Sequence, residues 1–161
     1  MRPHQIFAAM TPEHCKTFFA GLAEKSPEMY QQSVMAGAVN MKARPQYLFK
    51  QPKDKQAQAI RRALARVNAS ALAEEILAIY FLECRLELLT EWLDLVGLEH
   101  EEGMLKESAP AQPDAADVAK HVAALREKDD DPDRLLLLRA FNAQSAIDWP
   151  ALEELLAAEN G

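Results

Sequence analysis

Arg85 stands in the stretch YFLECRLELLTEWLDLVG, residues 80 to 97, surrounded by large apolar side chains. A guanidinium withdrawn from water is costly unless carboxylates or carbonyls satisfy its donors, so this one requires a companion. On a helical wheel of about 100° per residue it falls among Ala78, Phe81, Leu89 and Trp92, opposite a strip of Glu83, Glu87, Thr90, Glu91 and Asp94 suited to solvent. Glu74 projects on nearly the same face as Arg85 but lies about 16 Å away along the axis, beyond reach. The companion is therefore expected from another helix, another subunit or an anionic ligand. In the subunit form, two copies of residues 55–97 pack antiparallel about Ile79 and Tyr80, and Glu74 of each lies opposite Arg85 of the other. That register also sets Lys55, Arg62 and Arg66 near Asp94, Glu99, Glu101 and Glu102 of the second copy. Glu74 and Arg85 are thus the candidate partner-binding residues.

A second candidate is electrostatic. Residues 42–66 hold eight Lys or Arg and one acid, Asp54, for a net +7, so the remainder carries −14 of the total −7. Lys55, Arg62 and Arg66 line up opposite Ala57, Ile60 and Leu64, with Arg61 at the edge, giving one apolar and one cationic face. Such a face is ordinarily solvated or paired internally. Its sharper use is contact with a phosphate backbone through Lys55, Arg61, Arg62 and Arg66, helped by Tyr47 and Phe49 in the flanking connector.

Other chemistry lacks its parts. Carboxylate-bridged metal bundles need Glu-x-x-His pairs, and none of the 4 histidines has a glutamate three residues before it. Adjacent His14 and Cys15 diverge on a helix, and His100-Glu101-Glu102 lacks the second histidine of a zinc-protease helix. Asp129 to Asp133 miss the glycine and distant glutamate of a calcium loop, so capping explains them better. Cys84 sits among apolar residues that raise a thiol's pKa, and no glycine-rich phosphate loop occurs. No catalytic residue, metal or cofactor is expected, and the cysteines read as packing.

These residues need a scaffold, and its class is legible. A chain of 161 residues, 49% hydrophobic with only 5 glycines, points to one helical domain over 1–161. Thr11-Pro12-Glu13 and Ser26-Pro27-Glu28 each combine a capping hydroxyl, a first-turn proline and an acid. Pro45 and Pro52 bracket QYLFKQ, expected as an irregular or extended connector anchored by Tyr47, Leu48 and Phe49. Helical spacing then runs from Lys53 to Gly97, about 68 Å if unbroken, and a break at Asn68-Ala69-Ser70 is preferred. Residues 98–113 read as an internal loop, Asp114, Asp131 and Asp148 as N-caps of three later helices, and no strand alternation competes.

The expectation is an all-α bundle of six or seven helices around one long, mostly buried central helix, about residues 71–97. The opening MRPHQIFAAM lacks a secretory core and no apolar run spans a bilayer, so a soluble cytoplasmic protein without membrane association is expected. The expected role is a non-catalytic interaction, assembly or regulatory module that binds a protein partner or itself, possible as a homodimer. The alternative is a nucleic-acid-binding regulator using the basic helix, and the third reading is an enzyme or anionic-ligand binder centred on Arg85.

Overall fold

The computed structural model describes residues 1–159, and these are predominantly helical with almost no sheet. Ten α-helices, one 3-10 turn and one short hairpin are found among the described residues, more pieces than the six or seven helices expected. The chain divides into two compact units, Arg2–Cys84 and Arg85 onward with Met1.

The first unit runs α1 (Pro3–Ala9), α2 (Pro12–Lys25), α3 (Pro27–Asn40), α4 (Pro45–Phe49), α5 (Lys53–Leu64), a 3-10 turn (Val67–Ala69) and α6 (Ser70–Cys84). Proline opens α1 to α4, supplying a helical φ where no N–H is required. Thr11 Oγ1 accepts from the His14 amide at 3.1 Å, as its position demands, whereas the Ser26 side chain makes no cap bond. The core is aromatic: Phe18 stacks on Tyr80 with centroids 4.0 Å apart, and Phe7 meets Phe18 edge-on at 5.7 Å. Gly37 lets α3 approach α5 closely, since a Cβ there would lie 3.3 Å from the Ala59 and Ile60 backbone. The segment QYLFKQ is a correction: Pro45 starts the short helix α4, and only Leu48 of its three anchors is buried.

The second unit holds α7 (Leu86–Leu95), strands β1 (His100–Glu101) and β2 (Met104–Leu105), α8 (Ala115–Arg126), α9 (Pro132–Asn142) and α10 (Pro150–Glu159). Trp92, Phe141 and Trp149 form a buried edge-to-face series with centroids 5.8 and 5.0 Å apart. Gly97 at φ +73° ends α7 in a Schellman turn: Leu98 N donates to Leu93 O at 2.9 Å and Gly97 N to Asp94 O at 3.2 Å. Asp131 caps α9 through the Asp133 amide at 3.0 Å. At α10 the expected cap, Asp148, lies one residue too early; Gln112 takes an orphan donor instead, accepting from Ala151 N at 2.8 Å. Pro110 O accepts from the Trp149 indole at 2.9 Å, so the connector after the hairpin fixes the start of α10.

The long central helix over 71–97 is the main correction. Arg66 turns extended and a 3-10 turn covers Val67–Ala69, the expected break, but a second break falls at Arg85, whose φ of −136° and ψ of 46° leave the helix. The Arg85 carbonyl still accepts from Leu88 N and Leu89 N, both at 3.2 Å, so Arg85 serves as N-cap of α7. The hairpin within 98–113 was also not foreseen, because strands of two residues offer no alternation to read.

Replacing Gly37 with Leu is expected to force α3 and α5 apart and lower stability by about 1–3 kcal/mol, as overpacking does. Val39→Leu on the exposed side of α3 is the control, and urea midpoints followed by circular dichroism report both.

Candidate interaction surfaces

Arg85 owes its place to the break that it caps. Its guanidinium donates from Nη1 to Asp133 Oδ2 and from Nη2 to Asp131 Oδ2, both at 2.7 Å, and from Nε to Glu87 Oε1 at 2.8 Å. Its side chain is 25% exposed and that of Asp133 only 6%. Burial alone would lower the Arg85 pKa, but the bonds from Asp131, Glu87 and Asp133 outweigh it and raise the value. The required companion therefore comes from the same chain, at the first turn of α9. Three carboxylates around one guanidinium leave the cluster at −2, a poor seat for an anionic ligand.

A parallel cluster lies beside it. Arg134 donates to Glu91 Oε2 at 2.8 Å, to Asp129 Oδ1 at 2.9 Å and to Leu125 O at 3.0 Å, and Lys128 also bonds Glu91. Sequence reasoning put Glu91 on a solvated strip and missed Arg134; Glu91 is largely buried and paired. Burial would raise the Glu91 pKa, but the bonds from Lys128 and Arg134 hold it below the ordinary 4.5. Asp129 is likewise held low by Arg134. No signal in α9 sets Arg134 apart from Arg139 in sequence, since only the position of α7 selects one of them.

Glu74 is half-buried on α6, and the two helix breaks remove the continuous 55–97 rod on which its antiparallel pairing with Arg85 was drawn. His14 and Cys15 diverge: Cys15 is buried, gives its thiol to Ala57 O at 3.5 Å, and burial pushes its pKa up to about 12, far from a thiolate. Among the described residues no three His, Cys, Asp or Glu side chains converge as metal ligands, and no helix is long and apolar enough to cross a membrane.

The basic segment has a different character. Lys55 and Arg62 are exposed on α5, Arg61 is half-buried and donates to Ala8 O at 3.3 Å, and Arg66 donates to Asn40 Oδ1 at 2.8 Å. Lys53 sits 4.9 Å over the Tyr30 ring. The Arg66–Asn40 bond holds the 3-10 turn at the end of α3, and Gly37 holds α4 and α5 against the same stretch through Leu48 and Ile60. Met35, Val39 (76% exposed), Met41, Tyr47 (53%), Phe49 (42%) and Val67 stand exposed on α3, on α4 and in the turns that follow α3 and α5. Among the described residues only Met104 is a further large apolar side chain this exposed. Exposed apolar groups and eight cations thus share residues 35–67, a conjunction that the sequence reading touched only at Tyr47 and Phe49.

No family model, curated protein or solved structure matches this chain.

Arg85→Ala should take the guanidinium from the buried Asp133 carboxylate and destabilise the second unit by about 2–3 kcal/mol. Adding Asp133→Asn should recover part of that loss. Both tryptophans, Trp92 and Trp149, lie in this unit, so their fluorescence reads the unfolding directly.

Acid should also weaken it. Glu91 and Asp129 bind fewer protons folded than unfolded, so their contribution is complete above about pH 5 and is lost as pH falls toward their lowered folded values. The urea midpoint should drop between about pH 5 and pH 3, and Glu91→Gln should flatten that drop.

Proposed function

We propose that this chain is a non-catalytic interaction module that docks an acidic protein segment bearing apolar side chains on the exposed groups of residues 35–67. The observation that carries this reading is the coincidence of Met35, Val39, Met41, Tyr47, Phe49 and Val67, all exposed, with the stretch of net charge +7. Contiguous exposed apolar groups rimmed by polar ones mark docking sites. The rim of Lys42, Arg44, Lys50 and Lys55 would steer an acidic partner, and the apolar groups would retain it.

A nucleic acid is favoured less. Tyr47 and Phe49 could stack on bases, but Met35, Val39, Met41 and Val67 have no such use. Arg61 and Arg66 are bonded within the fold, and the total charge of −7 opposes a polyanion.

The test uses the full chain and a fluorescein-labelled peptide of Glu and Leu at helical spacing. Binding is expected to weaken with salt and to fall at least tenfold in Val39→Asp/Tyr47→Ser, with helicity unchanged by circular dichroism. Absence of peptide binding, or salt-sensitive binding of a single-stranded oligonucleotide in its place, overturns the proposal.

A further inference from the structure

The hairpin in the second unit has the chemistry that the cationic face calls for. Residues 99–107 carry Glu99, Glu101, Glu102 and Glu107 against Lys106, a net −3, and all five are exposed. At their centre is Met104, 61% exposed, the one large apolar side chain this open outside residues 35–67 among the described residues. The presentation is built. Glu102 at φ +49° and Gly103 at φ +87° make the two-residue turn that suits the right-handed twist of a hairpin. Glu101 is paired opposite Met104, and Lys106 N donates to Glu99 O at 3.1 Å. His100 anchors the base: its Nδ1 accepts from Gly103 N at 3.2 Å, which leaves Nε2 to donate to Asp94 Oδ1 at 2.8 Å. An exposed methionine held by so short a hairpin, with glutamates on either side, is not explained by packing within its own unit.

We infer that the segment docked on this surface is the Glu99–Glu107 hairpin of a second copy of this chain, with Met104 placed against Tyr47 and Phe49 of α4 and the glutamates against the flanking Arg44, Lys50 and Lys55. This inference rests on the docking reading above and names its partner. Charge complementarity carries it: residues Arg2–Cys84 hold eleven cations and seven acids, net +4, whereas the chain from Arg85 on holds seven cations and eighteen acids, net −11. The basic segment of one copy and the acidic hairpin of another therefore attract.

The test is sedimentation of the full chain and of two charge-reversed variants. The wild-type mass should rise above 18.0 kDa with concentration and fall back at high salt. Arg44→Glu/Lys50→Glu/Lys55→Glu reverses the face, and Glu101→Lys/Glu102→Lys/Glu107→Lys reverses the hairpin. Each variant alone should stay at the mass of one chain, with helicity and tryptophan fluorescence like the wild type. Mixed in equal amounts they should associate, because each reversed surface then meets its complement. A wild type that remains at 18.0 kDa throughout, or a mixture that fails to associate, overturns the inference. If the Glu-Leu peptide still binds the face in that event, only the identity of the partner falls; if it does not, the docking reading falls with it.

Discussion

The chain cannot carry an arginine at position 85, between Cys84 and Leu86, without finding negative charge for it, and the second unit is organised around that requirement. Arg85 stops being helical, caps α7 with its carbonyl and turns its fork to Asp131 and Asp133 at the start of α9. Asp131 thereby has two tasks, receiving the guanidinium on one oxygen and the Asp133 amide on the other. Arg134 and Glu91 repeat the logic one turn along each helix, so α7 is tied to the 129–134 corner by two charged forks. Paired and hydrogen-bonded charges of this kind specify one arrangement more than they stabilise it, because desolvation offsets much of the attraction.

The same carboxylates that satisfy Arg85 and Arg134 are thereby spent on structure. The second unit is acidic on balance, with seven cations against eighteen acids from Arg85 on. In the first unit the balance is reversed: its core of Phe7, Phe18, Phe19 and Tyr80 is aromatic, and eight of its eleven cations fall in residues 42–66, on α5 or just after it and in the segments that flank α4. Separation of charge between the two units, rather than any assembled chemical site, is the feature that supports a role in association.

Much of the fold was legible because helices announce themselves locally. Thr11-Pro12, Ser26-Pro27, Asp131-Pro132 and Gly97 all mark helix ends where the structure has them, and the break near Asn68 followed from excessive length alone. The second break was not legible, since no Gly or Pro stands at residue 85 and the wheel continued smoothly through it. Its cause lies 46 and 48 residues further on, at Asp131 and Asp133. Glu91 was misjudged for the same reason: a periodic pattern tells which side chains share a face, not which faces find a neighbour.

By itself the sequence determined the helical class, several helix ends, the need of Arg85 for a companion and the concentration of positive charge over residues 42–66. Those follow from backbone sterics, capping, hydration cost and composition, which act within a few residues or on the whole chain at once. Only tertiary structure decided that Asp131 and Asp133 would be the companions, that Arg134 would be held and that Met35, Val39 and Val67 would stay uncovered. Such outcomes depend on which elements lie against one another, and contact between distant segments is set by the packing of all of them together.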